Sequence, residues 1–260
     1  MTEVNIDENL IWLQELYAAN ICNLRPVLPN ISDDQLKDYS PLEKIPSSLG
    51  LFKIHTLSNP GWSLSFFYKN MLARENNWTD IQINCGINLI DQDSNDWLFA
   101  NKENDVFKES CGPLYLATIL EAFRCWIEDI PFIIEDLPMF REKLKQKNPL
   151  LSWLEEFYYN CCDEDWEHSY GCSIISVASG WVMAFSLDYL DLEDSSFDRI
   201  VIEEDEGTIE CYKEEYKFII RTHVKGLIKG IAIFKEWVEI EMDKYRKAKS
   251  LINDHDPAYR

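Results

Sequence analysis

The chain aligns with itself, and that property limits its possible folds more than any other. The stretch NLIWLQELYAAN near the start reads like PLLSWLEEFYYN near the middle, with Trp12, Leu13, Leu16 and Tyr17 answered by Trp153, Leu154, Phe157 and Tyr158 at an offset of 141. PGWSLSFFY at 60–68 matches SGWVMAFSL at 179–187 at an offset of 119, a register that also carries Trp78 onto Phe197 and Ile81 onto Ile200. LATILEAFRCWIE then matches LIKGIAIFKEWVE at an offset of 111, pairing Leu116 with Leu227, Leu120 with Ile231, Phe123 with Phe234 and Trp126 with Trp237. Three blocks in one order mean two copies of one unit, each of about 110 to 130 residues, the second more compact than the first.

The unit has a legible plan. Trp153, Leu154, Phe157, Tyr158 and Cys161 fall at helical spacing and predict a half-buried amphipathic helix. GLFKIHTL, WSLSFFY and TDIQINCGINLI are short, rich in β-branched and aromatic residues, and set off by turn signals such as Ser58-Asn59-Pro60-Gly61, so they read as antiparallel strands. Leu116, Ile119, Leu120, Phe123 and Ile127 predict a closing helix, with Gly112-Pro113 as its start signal. The expected fold is α+β: two repeated units, each an antiparallel sheet packed by an N-terminal and a C-terminal helix. Residues 1–130 make the first repeat, 131–148 a proline-bearing and basic linker, and 149–260 the second repeat. The last helix runs past Trp237 into EIEMDKYRKAKSLI, long enough to pack back across the boundary.

Composition matters chiefly through charge. The 46 acidic and 25 basic residues give a formal −21, and 151–220 alone holds 18 Asp and Glu against 3 Lys and Arg, a net −15. Phosphate binding draws on Lys and Arg, so nucleic acid is disfavoured as a ligand, while a basic protein partner would be steered inward. No stretch approaches a membrane span, and the acidic start MTEVNIDENL does not read as a secretory signal, so the expected location is cytoplasmic, away from membranes. The eight cysteines form no C-x-x-C pair and the four histidines are too scattered to suggest a ligand set, so no metal and no cofactor is expected.

The chemistry-rich stretch is DEDWEHSYG at 163–171. It completes the series Cys162-Asp163-Glu164-Asp165-Trp166-Glu167-His168-Ser169-Tyr170-Gly171 in the second copy, and the first copy carries Ile54-His55-Thr56-Leu57-Ser58-Asn59-Pro60-Gly61-Trp62. A helix with W-x-x-x-x-Y, then C-D-x-D-W-E-H-x-Y-G, then I-x-T-L-x-N-P-G-W, then a C-terminal helix, resembles the immunity protein 53 family of bacterial polymorphic toxin systems. That family is usually a single unit of about one hundred residues, the size of one copy here. The signature is divided. The second copy has Ala178-Ser179-Gly180-Trp181 in place of the N-P-G-W turn, and the first has a long loop at 21–49 where W-E-H would stand. The resemblance implies an antitoxin for bacterial competition, a toxin inhibitor that works by protein–protein interaction with one cognate toxin domain, not an enzyme.

On the residues themselves, the binding reading rests on carboxylates. Asp163, Glu164 and Asp165 follow a helix end, where the helix dipole disfavours them, so they are expected on an exposed loop with Glu167, His168 and Tyr170. A second acidic loop, Glu203, Glu204, Asp205 and Glu206, is expected to join them in facing Arg and Lys of a basic toxin, with Tyr158, Tyr159 or Tyr170 as aromatic anchors. Trp62, Trp126, Trp166, Trp181 and Trp237 sit in repeated apolar patterns and read as structural. Two other functions stay open. One is an acidic nucleic-acid mimic that inhibits a nuclease or DNA-binding protein, which needs regularly spaced carboxylates. The other is a small-molecule hydrolase using Glu167 and His168, although sequence neighbours point apart and no nucleophile motif accompanies them. No residue is assigned a catalytic role.

Overall fold

The computed structural model describes residues 7–24, 52–57, 60–67, 98–103, 106–128 and 136–255, with 130, 132 and 134 between. The strand expected over 79–90, and Trp78 and Ile81, lie outside these residues. In chain order the elements are α1 (Glu8–Leu24), β1 (Phe52–Thr56), β2 (Trp62–Phe67), β3 (Leu98–Glu103), β4 (Val106–Cys111), α2 (Leu116–Glu128), α3 (Leu137–Lys147), α4 (Pro149–Cys161), the short α5 (Trp166–Ser169), β5 (Cys172–Val177), β6 (Gly180–Ser186), β7 (Ile200–Glu204), β8 (Gly207–Glu214), β9 (Lys217–Thr222) and α6 (Leu227–His255). The nine strands among the described residues join one antiparallel sheet in the order β3-β4-β2-β1-β5-β6-β9-β8-β7.

Alternation along the strands decides which face receives the helices. Trp181, Met183 and Phe185 of β6, with Phe218 and Ile220 of β9 and Phe52 and Ile54 of β1, share one core with Leu13 and Tyr17 of α1, Phe123 of α2, Leu154 and Tyr158 of α4, and Phe234 of α6. The intervening Val182, Ala184 and Ile219 form a smaller cluster with Ile175, Val177 and Tyr212 on the opposite face. Matched residues keep matched partners: the indole N–H of Trp62 donates to Pro113 O at 2.8 Å and that of Trp181 to Val224 O at 2.8 Å. Inside the stretch expected as a linker, Asp136 caps α3 through Met139 N–H at 2.9 Å, and Leu144 of α3 is buried in the main core. The α6 extension stays with its own copy. Met242 and Arg246 border α4, and residues 243–250 are exposed.

The copies meet across β1 and β5 around a local two-fold axis. Counting from the matched tryptophans through the paired strands, Ile54 corresponds to Ile174, and the two face each other in register. Several contacts around that pair then occur twice. Ser176 Oγ accepts from Phe52 N–H at 2.8 Å, and Thr56 Oγ1 accepts from Cys172 N–H at 2.9 Å. The Tyr158 hydroxyl donates to Leu57 O at 3.3 Å, and the Tyr17 hydroxyl donates to Val177 O. Tyr17 meets Trp181 edge-on with ring centroids 4.9 Å apart, and Tyr158 meets Trp62 at 4.9 Å.

The N-terminal helices also cap each other's partners. Asp7 accepts from Leu150 and Leu151 N–H at the start of α4, while its sequence counterpart Asn148 accepts from Asn9 N–H at the start of α1. Gln14 accepts from Ile228 N–H at the start of α6, and its counterpart Glu155 accepts from Ala117 N–H at the start of α2. Orphan helix N–H groups are obligatory donors, so each exchange ties one copy to the other at about 1 kcal/mol per bond. The arrangement is that of an isologous dimer, one patch matched to itself, within a single chain.

Candidate partner-binding face

The loop from 162 to 171 is ordered by its own acids. Asp163 accepts from Trp166 N–H at 2.8 Å and Asp165 N–H at 3.1 Å, which starts α5 and holds its carboxyl below the usual range. This differs from the dipole expectation: Asp163 follows α4, but its carboxylate serves the next helical turn. Glu167 is buried and accepts from Asp163 N–H at 3.1 Å, so it is occupied within the loop. His168, the next residue, is exposed. The pair therefore diverges, one inward and one outward. The Cys162 thiol, pushed up to about 12 chiefly by burial, donates to Tyr158 O at 3.3 Å and is no nucleophile at neutral pH.

Two further loops converge on this one. Trp166 is buried, and its indole N–H reaches Asp188 O at 2.8 Å, pinning the segment after β6. The turn between β8 and β9 is held by Leu187 N–H donating to Tyr216 O at 2.7 Å. Tyr170 links Trp166 and Tyr189, with ring centroids 6.1 and 5.6 Å apart. Tyr189 is 82% exposed and Tyr216 48%, far more open than a tyrosine kept for packing. Asp163, Glu164, Asp165, His168 and Glu215 are exposed around them, with Asp188 half-buried beneath and its carboxyl raised by that burial. Glu164, Tyr189 and Glu215, at φ of 81°, 59° and 52°, are the non-glycine residues of positive φ among those described, one in each loop. Such backbone is costly and collects at functional surfaces.

The second acidic loop lies elsewhere. β8 carries the chain from Gly207 to Glu214, so the 203–206 hairpin tip and the 163–171 loop sit at opposite ends of the strands, roughly 20 Å apart by strand rise. The tip folds onto the start of α6. Glu204 accepts from Lys229 and pairs with His223 at 2.9 Å, Glu206 pairs with Lys225 at 3.2 Å, and Glu203 accepts from Thr208 at 2.9 Å. These bonds hold the Glu204 and Glu206 carboxyls below their usual range, and Asp205 is exposed at the apex. Of the structural tryptophans, Trp62, Trp181, Trp166 and Trp237 are buried and Trp126 is half-buried.

Tyr189, Tyr216, Asp188 and Glu215 were not picked out by sequence reasoning. A signal was available: Asp188-Tyr189 and Glu214-Glu215-Tyr216 set acid beside tyrosine at a turn, as Asp165 to Tyr170 does. Beside this face, a cavity of about 410 Å³ opens between α4, the 190–192 segment and α6, with Trp153, Phe157 and Met242 on its walls and Glu156, Asp191 and Glu239 at its edges. Carboxylates around exposed aromatic rings are suited to Arg and Lys side chains, which take charge-assisted hydrogen bonds at one end and lie on apolar surface at the other. Among the described residues no helix is long and apolar enough to cross a membrane, and no three His, Cys, Asp or Glu gather as metal ligands.

A family model described as Immunity protein 53 matches the chain over residues 48–128 and again over 151–239. The second match begins inside α4 and takes in most of it, whereas the first begins after α1. Neither a curated protein nor a solved structure matches.

Proposed function

The chain belongs to the immunity protein 53 family, and from that premise we propose that it is a cytoplasmic antitoxin that neutralises one cognate bacterial toxin domain by stoichiometric occlusion. The observation that carries this reading is the face of exposed Tyr189 and Tyr216 among Asp163, Glu164, Asp165 and Glu215, on a family member whose second copy is strongly acidic. The partner fitting it is basic. Long-range attraction to a net −15 region would speed encounter, and tyrosine packing would slow release. The scattering of acid to opposite ends of the strands supports this over nucleic-acid mimicry, which needs one continuous carboxylate track. The divergence of Glu167 and His168 speaks equally against the hydrolase.

Calorimetry against the toxin domain encoded beside this gene tests the reading. Binding of nanomolar order that weakens as salt rises, together with loss of toxin activity, is the expected result. No binding at micromolar concentration would sink it.

A further inference from the structure

Two-fold symmetry gives the molecule two equivalent corners, and they are not equally furnished. At one corner Leu57 and Gly61 of the first copy come up to the second copy's 162–171 loop. Tyr158 joins them, its hydroxyl donating to Leu57 O and accepting from Gly61 N–H, both at 3.3 Å. Gly171 presses on Thr56 so closely that a Cβ there would stand 1.9 Å from Oγ1, so the second copy's backbone rests directly on the Thr56 side chain. Tyr170, Tyr189 and Tyr216 open from this corner. At the other corner, Tyr17 meets the second copy's turn, where Ser179 stands at the position of Pro60.

The divided signature now acquires a geometric meaning. The W-E-H series belongs to the second copy and the N-P-G-W series to the first, and Tyr158 stands between Gly61-Trp62 of the one and Trp166 of the other. The departures fall together as well: Trp181 of Ala178-Ser179-Gly180-Trp181 packs on Tyr17 of α1, a helix followed in the sequence by no W-E-H series. Had each copy been an independent binder, the two halves would be expected in one copy. Instead they share one corner, and neither half is at the other.

We infer that both copies together build a single composite binding face at the corner where Leu57, Pro60 and Gly61 of the first copy meet the 162–171 loop of the second, that it takes one basic partner domain per chain, and that the opposite corner is structural. The inference rests on the antitoxin reading and adds to it a stoichiometry and a contribution from the first copy. Charge selects the occupant, since exposed Asp163, Glu164, Asp165 and Glu215 surround the open tyrosines.

The mirrored positions supply the experiment. With the full chain and the toxin domain encoded beside its gene, native mass spectrometry should give one toxin per chain. Pro60→Lys should weaken binding at least tenfold, and Ser179→Lys less than twofold, with thermal melts confirming that both variants fold. Tyr189→Ala, at an exposed position whose ring neighbour is Tyr170, should also weaken binding at least tenfold. Two toxins per chain, or equal losses from Pro60→Lys and Ser179→Lys, would overturn the composite face while leaving the antitoxin reading intact. Failure of the unmodified chain to bind at all would overturn both.

Discussion

The helices α1 and α4 occupy equivalent places and make equivalent bonds, yet with residues of different charge. Gln14 caps α6 and Glu155 caps α2; Asp7 caps α4 and Asn148 caps α1. Each ionisable residue is therefore matched by its neutral amide at the mirrored site. What the fold requires at these four places is an acceptor oxygen for a helix N–H group, and charge is incidental. Burial shows the difference: the Glu155 carboxyl is pushed up to about 7 and that of Asp7 to about 6, chiefly by desolvation.

The strongest test of the equivalence is to remove the matched tryptophans. Trp62→Ala and Trp181→Ala each lose a fully buried ring and a 2.8 Å bond, and should each cost about 3–5 kcal/mol in urea unfolding, through a single transition. Two separable transitions, or very unequal costs, would break the comparison. Next in size is Glu155→Gln, which copies Gln14. The folded Glu155 keeps its proton up to about pH 7, whereas the unfolded group loses it near 4.5, so its stabilising contribution is complete below pH 4.5 and is lost as pH rises through 7. The substitution should therefore stabilise the chain at pH 8, on the order of 2 kcal/mol, and leave it unchanged near pH 4.5. Thermal melts across that range should show a flatter slope, with the remainder due to Asp7. Gln14→Glu should steepen it.

Smaller effects sharpen the seam and the two acidic ends. Ser176→Ala and Thr56→Val each strand a buried N–H, of Phe52 and Cys172 respectively, and should cost about 1–2 kcal/mol apiece by the same unfolding assay. Lys229→Ala, which removes the α6 partner of Glu204 at the hairpin tip, should change stability by less than about 1 kcal/mol and leave toxin affinity untouched. Tyr189→Gly should likewise leave stability within about 0.5 kcal/mol, because glycine accepts its positive φ, while affinity falls.

Much of this fold was legible because repeated apolar spacing is a strong signal. The matched tryptophan helices and the 62–67 and 180–186 strands all follow from it. The joining of the copies was not legible. It depends on Thr56, Ser176, Asp7 and Asn148, small polar residues of no unusual pattern that become partners only through pairings more than a hundred residues apart. At the site, local chemistry was misread where a side chain had a choice of neighbours. Asp163 follows one helix but caps the next, and Glu167 turns inward to bond Asp163. Distance along the chain also misled. The acids at 203–206 belong to the same copy, but a full strand carries them to the far end.

The paired strands β1 and β5 set a schedule for synthesis. Leaving the ribosome first, β1 has β2 beside it but must wait for residues 173–175, while Tyr17 waits for Trp181. At ordinary translation speeds that wait is on the order of ten seconds. During it, the first copy carries an open strand edge and an unpaired helix face, the combination most exposed to aggregation and proteolysis. A product truncated before Trp181 would stay in that condition, so the first copy reaches its protected form only when about two-thirds of the chain has been made.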